Sequence, residues 1–228
     1  MALLLKNKAV FLHVPKTGGS WVTSILERQG LIERRFAQGH ADMDRAMRWF
    51  GRHWWRNRRP TFIFCFVRNP LTWYESWFRY MSHPERNWMH FDQGGNDVHP
   101  IQRAWPHSLL NDCAAQDFNE FVERAVRLHP GYVSELFSWY TKPPISFIGK
   151  QERLTEDLIR ALRQSKLAFD EDAIRAASPV NSGDRTIKAL WDPALRNKVI
   201  QLEREAFDRY DYDPSSQMSR PLGATQPR

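Results

Sequence analysis

The sequence predicts an α/β fold with a mainly parallel central sheet flanked by helices. Short apolar runs of strand length alternate with longer stretches whose apolar residues recur at helical spacing, a pattern typical of parallel sheets. The chain has 228 residues, of which 42% are hydrophobic, so it is long enough to bury a core. No low-complexity linker divides it. We therefore expect a single domain over residues 1–213, followed by a disordered polar tail over residues 214–228.

The first half of the chain contains two predicted strands. Residues 9–14 form an apolar run that ends in a turn, and apolar residues at helical spacing predict a helix from about Ser20. A second helix is predicted over residues 42–50. Residues 61–67 include six consecutive apolar side chains, which suits a strand buried on both faces. Pro70 then favours the start of another helix.

The second half contains one more predicted strand and three amphipathic helices. Apolar residues at i, i+3, i+4, i+7 and i+8 predict a helix over residues 118–126. Residues 145–148 form a short strand, and leucine and alanine residues on one face predict a helix over residues 154–162. The pair Asp192-Pro193 favours the start of a final helix, because aspartate caps helices and proline suits their first turn.

The turn after the first strand has the composition of a phosphate-binding site. Residues 11–21 read FLHVPKTGGSW, so a strand passes through a glycine turn into a helix. Backbone N–H groups at such a turn and the positive end of the helix dipole favour an anion, and Lys16 adds a full charge. Lys16 precedes Gly18 and Gly19, whereas in a nucleotide-triphosphate loop the lysine follows the second glycine. The turn is therefore P-loop-like, although similar turns occur in α/β folds that bind no ligand. His13, within the strand, is expected to be packed or bonded to backbone.

A second motif begins where the strand over residues 61–67 ends. Arg68 occupies the strand's carboxyl end, and Ser76 lies about two turns into the next helix, roughly 9 Å along its axis. The guanidinium and the hydroxyl are therefore able to hold one phosphate, each charge-assisted bond contributing roughly 1.5–3 kcal/mol. The alternative is that Arg68 pairs with Glu75 or Asp42 only to hold the fold.

Together the two segments resemble the sulfotransferase family that uses 3′-phosphoadenosine 5′-phosphosulfate (PAPS) as sulfuryl donor. Residues 15–21 are similar to that family's 5′-phosphosulfate loop, and Arg68-Asn69-Pro70 with Ser76 is similar to its 3′-phosphate site. The resemblance implies PAPS as cofactor, 3′-phosphoadenosine 5′-phosphate (PAP) as its product, and no metal. It also implies that Trp21 lies near or against adenine. The implied cofactor contacts are Lys16, Thr17, Gly18, Gly19, Ser20, Trp21, Arg68 and Ser76.

The resemblance extends more weakly to later segments. Residues 147–152, FIGKQE, are similar to the family's late strand and its exit. Residues 181–188 lie roughly where a late cofactor loop is expected, so Arg185 and Lys188 are further candidate 3′-phosphate contacts. Two features depart from the family. Trp73 stands where carbohydrate sulfotransferases often carry a basic residue, and the long glycine- and lysine-rich C-terminal motif of the cytosolic phenol and steroid enzymes is absent.

Sulfuryl transfer to a hydroxyl requires a group that offsets charge on the leaving oxygen and a group that accepts the hydroxyl proton. Lys16 is the candidate for the first role, in which one preorganised donor is typically worth about 10²–10³ in rate. A histidine suits the second role, because its ordinary pKa lies near neutral pH. We expect His40 to be the base, since a histidine in this interval resembles the family's catalytic base. His53 is the reserve candidate, with Glu27 and Glu33 behind it.

Charge and aromatic residues indicate what kind of acceptor is bound. The chain has 33 basic and 26 acidic residues and a formal net charge of +7, which favours anionic ligands. We expect the acceptor to be a carbohydrate or another small molecule, with anionic acceptors included. Residues 49–59, WFGRHWWRNRR, either stack rings and attract acidic groups or form half of a core and half of a solvated face. Residues 83–115 are predicted to be a long loop over the active site. Its candidate acceptor contacts are Trp88, His90, His99 and Trp105.

Two other functional classes remain open at this point. A nucleotide kinase or NTPase would share a phosphate loop and a parallel sheet, but Lys16 is misplaced and Arg68 stands where an aspartate would end the second strand. A nucleic-acid-binding protein is suggested only by charge, and no recognised motif supports it. The N-terminus has too few apolar residues for a signal peptide or membrane anchor, so we expect a cytoplasmic protein without a membrane span. Cys65 and Cys113 form no metal pattern.

Overall fold

Strands and helices alternate along the chain, as the sequence predicts for an α/β protein. The structure is a computed structural model that describes residues 2–36, 41–52, 60–83, 106–178 and 186–215. A short 3₁₀ segment, Pro106–Cys113, precedes the second half. The strands and helices are, in chain order, β1 (Ala2–Leu5), β2 (Ala9–Leu12), α1 (Gly19–Arg28), β3 (Ile32–Phe36), α2 (Met43–Arg52), β4 (Phe62–Val67), α3 (Pro70–Met81), α4 (Phe118–Leu128), α5 (Tyr132–Thr141), β5 (Phe147–Lys150), α6 (Leu154–Gln164), α7 (Glu171–Arg175), α8 (Pro193–Leu202) and α9 (Arg204–Arg209).

The central sheet is mixed and only partly parallel, so the prediction of a mainly parallel sheet holds only in part. The strand order is β3-β1-β2-β4-β5, in which β2–β4 and β4–β5 are parallel and β1 is antiparallel to both β2 and β3. The difference arises from β1, which was not predicted as a strand. Only Lys6–Lys8 separates β1 from β2, with Asn7 and Lys8 at positive φ. A connection this short permits only an antiparallel hairpin.

Four strands end at the same edge of the sheet. Leu12 lies opposite Cys65 in the parallel pair β2–β4, and Val67 lies opposite Lys150 in the parallel pair β4–β5. Leu12 and Phe36 both pair with Ala2 of β1, so β3 runs in the same direction as β2. The carboxyl ends of β2, β3, β4 and β5 therefore form one edge, hereafter the carboxyl edge. Ligands of open α/β sheets bind at edges of this kind.

The sheet is covered on both faces, which confirms that β4 is buried on its two sides. Phe64 and Phe66 of β4 pack into one core cluster with residues of α1 and α6. Ile63, Cys65 and Val67 face the other cluster, which includes residues of α3, α4, α5 and α8. Burial raises the pKa of the Cys65 thiol, and burial likewise raises the pKa of Cys113 to about 11, so neither thiol ionises appreciably at neutral pH.

The other predicted helices and strands are found with small shifts at their ends. The two predicted helix starts are confirmed, since Asn69 accepts the N–H of Leu71 at 2.9 Å and Asp192 accepts the N–H of Leu195 at 2.8 Å. The predicted loop over residues 83–115 is helical at its end, over Pro106–Cys113. Within the part of the chain that the structure describes, no helix combines the length and hydropathy needed to cross a membrane. Residues 216–228 of the predicted tail lie outside the described residues.

A buried carboxylate joins the C-terminal helices to the core. Glu203, between α8 and α9, is 0% exposed and accepts the hydroxyl proton of Tyr74 at 2.7 Å. It also accepts the backbone N–H groups of Val133 and Ser134 at 3.0 and 2.7 Å and the Ser134 hydroxyl at 2.7 Å. The carboxylate thus accepts hydrogen bonds from backbone N–H groups in the first turn of α5 and from Tyr74 of α3.

We expect Glu203→Ala to lower the free energy of unfolding by at least about 3 kcal/mol, because several buried donors lose their acceptor. Tyr74→Phe removes one donor and is expected to cost about 1–2 kcal/mol. Urea denaturation followed by tryptophan fluorescence measures both. Equal effects of the two variants, or an Ala variant as stable as the parent, would show that Glu203 does not organise this junction.

Candidate functional site

Three connections leave the sheet at the carboxyl edge and meet there. The turn after β2 leads into α1, the segment Arg68-Asn69 leads from β4 into α3, and Gln151-Glu152 follows β5. The first two segments carry the predicted phosphate-binding motifs with Lys16 and Arg68, and the third is the end of the predicted late strand. The structure therefore places the predicted motif segments beside one another, because parallel strands carry their following segments to the same edge.

A hydrogen bond from Thr17 and the left-handed conformation of Gly18 shape the turn after β2. Thr17 is 1% exposed and its hydroxyl donates to the carbonyl of Val14 at 3.0 Å, so Thr17 shapes the turn. Gly18 is the N-cap of α1 and has φ +84°, a conformation that favours glycine. A Cβ at Gly18 would also lie 2.5 Å from a methyl carbon of Leu154.

The N-terminus of α1 lies at this turn. The first intrahelical bond runs from the N–H of Val22 to the carbonyl of Gly18 at 3.2 Å. The N–H groups of residues 18–21 precede that bond and have no acceptor within the helix. Ser20 is exposed at this end of the helix. The turn therefore presents backbone donors and the positive end of the helix dipole at the carboxyl edge.

Arg68 joins the two motifs directly. Its Nη1 donates to the carbonyl of Lys16 at 3.2 Å, and its Nε donates to the Thr72 hydroxyl at 2.9 Å. Burial lowers the pKa of Arg68, while the carboxylates of Glu152 and Glu75 act in the opposite direction. Among the described residues, both of its hydrogen-bond acceptors are neutral and no carboxylate forms an ion pair with it.

The alternative that Arg68 pairs with Glu75 or Asp42 is wrong. Glu75 forms an ion pair with Arg79 at 3.2 Å and accepts the indole N–H of Trp191 at 2.9 Å. Asp42 accepts the backbone N–H of Arg45 at 2.8 Å. The guanidinium of Arg68 is therefore held at the carboxyl edge by neutral oxygens, and it keeps its charge in a half-buried position.

Lys16 extends along the face of α3 that carries Ser76. Its amine lies 3.9 Å from the centroid of the Tyr80 ring, and its carbonyl accepts from Arg68. Thr72, Ser76 and Tyr80 are four residues apart and therefore share one face of α3. Because Arg68 contacts Thr72 and Lys16 contacts Tyr80, the two cations flank the half-buried Ser76. The structure thus brings Lys16 and Arg68 to the face of α3 that carries Ser76.

The structure describes two further predicted cofactor contacts, Trp21 and Lys188. Trp21 is 6% exposed and its indole N–H donates to the carbonyl of Ser178 at 3.1 Å, so most of its ring belongs to the core. Lys188 is exposed, and the preceding carbonyl of Ile187 accepts the Nε of Arg79 on α3 at 3.2 Å. The segment with Lys188 is therefore attached to the helix that carries Ser76.

Several candidates fall outside the described residues, and two others point away from the edge. Glu27 lies near the far end of α1 and forms an exposed ion pair with Arg35 at 3.0 Å. Glu33 is exposed near the start of β3, away from the strand's carboxyl end. Neither carboxylate joins Lys16 and Arg68. The candidates outside the described residues are His40, His53, Arg185, Trp88, His90, His99 and Trp105.

Two residues at the edge were not predicted. Tyr80 follows Ser76 by one helical turn, a spacing that would have indicated a shared face. Glu152 follows β5 and accepts the N–H of Asn69 and the hydroxyl of Tyr212, both at 2.9 Å. Burial and the Glu152 carboxylate raise the pKa of Tyr212, so its phenol stays protonated and donates. The C-terminal segment therefore borders the site through Tyr212.

Comparison of the chain with protein-family models, curated proteins and solved structures found no match. Its function is therefore inferred from the residues that meet at the carboxyl edge.

The contact between Gly19 and His13 provides a test of the turn geometry. A Cβ at Gly19 would lie 2.0 Å from a ring carbon of His13, so Gly19→Ala is expected to cost about 1–3 kcal/mol of unfolding free energy. The double variant His13→Ala, Gly19→Ala should recover part of that loss. Gly51→Ala is the control, because a Cβ there meets nothing within 4 Å and alanine favours helix α2. Urea denaturation measures all three, and a Gly19→Ala variant as stable as the parent would contradict the packing.

Proposed function

We propose that this protein is a sulfotransferase that moves a sulfuryl group from PAPS to a hydroxyl of a carbohydrate or another small acceptor. The observation that carries the proposal is the hydrogen bond from Arg68 to the carbonyl of Lys16. It joins two segments that separately resemble the 5′-phosphosulfate loop and the 3′-phosphate site of one donor. A ligand with anionic groups on the 3′ and 5′ oxygens of one ribose suits two such segments at one edge.

The electrostatics of the carboxyl edge support an anionic ligand. The turn contributes backbone donors, the amine of Lys16 and the positive end of α1. Arg68 adds a guanidinium with further N–H donors beyond the two that bond Lys16 and Thr72. Phosphate oxygens are well suited to such a fork, and each charge-assisted bond contributes roughly 1.5–3 kcal/mol. Ser76, between the two cations, offers a hydroxyl donor to the same group.

The roles of the residues follow from these positions. Lys16 and the N–H groups of residues 18–21 would hold the 5′-phosphosulfate, and Arg68 and Ser76 would hold the 3′-phosphate. The donor supplies the sulfuryl group. The Lys16 amine would offset the negative charge that develops on the leaving oxygen. His40 remains the proposed base, with His53 as reserve, and β3 ends four residues before His40 at the carboxyl edge.

A nucleotide kinase or NTPase is the alternative, because a strand, turn and helix at the end of a parallel strand also suits a triphosphate. It is disfavoured because Lys16 precedes both glycines and because Arg68 ends β4 in place of an aspartate. The two functions predict different ligands as the tighter binder. PAP has a 3′-phosphate, and ATP has a triphosphate instead.

We expect PAP to raise the melting temperature more than AMP or ATP at equal concentration, because tighter binding to the folded state gives a larger shift. Arg68→Gln should remove the preference of PAP over AMP, since both ligands carry the 5′-phosphate. Arg79→Gln, an arginine of the following helix α3, is the control. Thermal denaturation measures the shifts. Equal shifts with PAP and AMP would contradict the PAPS assignment, and a larger shift with ATP would favour the kinase alternative.

We expect Lys16→Met to remain folded and to lose about 10²–10³ in the rate of sulfuryl transfer, because the leaving oxygen loses a preorganised cation. Lys166→Met is a matched control, since Lys166 is an exposed lysine that also has positive φ, at 55° against 64° for Lys16. Transfer from labelled PAPS to a panel of hydroxylated sugars, lipids and phenols measures the rate. A Lys16 variant that transfers at the parent rate would remove Lys16 from the chemistry.

A further inference from the structure

A row of aromatic side chains on α3 braces the turn that carries Lys16. Trp73, Trp77 and Tyr80 follow one another at i, i+4 and i+7, and we refer to them as the aromatic row. Trp73 donates its indole N–H to the carbonyl of Pro15 at 2.9 Å. The rings of Trp73 and Trp77 are stacked, with centroids 5.6 Å apart and an interplanar angle of 3°. The ring centroids of Trp77 and Tyr80 are 5.9 Å apart. The row begins at the backbone of Pro15 and ends at the amine of Lys16.

A backbone angle and two contacts constrain Lys16. Its φ is +64°, a left-handed conformation that residues other than glycine rarely adopt. Its carbonyl accepts from Arg68, and its amine lies over the Tyr80 ring at 3.9 Å. The first two fix the backbone but leave a four-carbon stem with many rotamers. The position of the amine therefore depends on what its distal end contacts.

An aromatic ring is well suited to place a cation that must act on an anion. A carboxylate would also hold the amine, but it would compete with the ligand for the same positive charge. The face of a tyrosine ring attracts an ammonium through its quadrupole and carries no net charge. Tyr80 is 37% exposed, so the contact lies at the surface of the site and not within the core. The ring itself therefore adds no negative charge that would compete with an anionic ligand.

We propose that Tyr80 is a positioning residue for Lys16, and that the aromatic row holds the Lys16 amine at the carboxyl edge before a ligand arrives. The inference deepens the proposed function and rests on it only in taking the ligand to be PAP or PAPS. Trp73, which departs from the sulfotransferase pattern, has a role in this arrangement. It fixes the other end of the row to the turn.

A double-variant cycle tests the proposal, with PAP binding measured by calorimetry. Tyr80→Leu removes the ring and is expected to weaken PAP binding about 2- to 5-fold, the usual size of an exposed cation–π contact. Tyr80→Phe keeps the ring and should bind PAP as the parent does. In a Lys16→Met background, Tyr80→Leu should cause no further loss. An equal loss in both backgrounds, or in the Phe and Leu variants alike, would overturn the proposal.

A second measurement separates this proposal from the donor assignment. Nuclear magnetic resonance of the unliganded protein should show the terminal methylene protons of Lys16 shifted upfield by the Tyr80 ring current. The shift should persist in Tyr80→Phe and vanish in Tyr80→Leu. A parent protein that fails to bind PAP would defeat the proposed function while this shift still supports the Tyr80 contact. Absence of the shift in the parent would overturn the positioning role, whatever PAP does.

Discussion

Parallel pairing of β4 with β2 on one side and with β5 on the other brings three chain segments to one edge of the sheet. Arg68 and Lys16 are 52 residues apart in sequence, and Asn69 and Glu152 are 83 apart, yet each pair shares a hydrogen bond. The register matters because a slip of one residue in β4 would turn its apolar side chains to the opposite faces. Burial on both faces therefore fixes the place of Arg68 as firmly as it fixes the core.

The carboxylates around Arg68 support its charge without occupying its donors. Glu75 is engaged by Arg79 and Trp191, and Glu152 is engaged by the N–H of Asn69 and by Tyr212. Both act on Arg68 through space, which offsets part of the cost of burying a guanidinium. The result is a cation at the edge of the sheet whose two observed hydrogen bonds both go to neutral oxygens. The amine of Lys16 likewise contacts a neutral group, the Tyr80 ring.

Local patterns predicted the elements whose signals lie within a few residues, such as β4, the start of α3 at Pro70 and the turn with Lys16. They did not predict β1, since four apolar residues before Lys6 carry no strand signal without their partners. They also missed β3, whose central residues Glu33, Arg34 and Arg35 are exposed at the sheet edge and show no apolar alternation. Strand order depends on contacts between distant segments, so the mixed sheet was not predictable. Tyr80 was missed because its contact with Lys16 depends on a left-handed turn that a lysine does not indicate.

The contacts of Glu203 have a consequence for folding during protein synthesis. Tyr74 donates to a carboxylate that is 129 residues further along the chain. Ribosomes add about 5–20 residues per second, so roughly 6–26 s pass between the synthesis of the two residues. Throughout that interval the sequence of α3 has been synthesised, but Glu203, the hydrogen-bond acceptor of Tyr74, has not. The apolar face of α3 is then a surface that chaperones can recognise, and closure of the core awaits the last two helices.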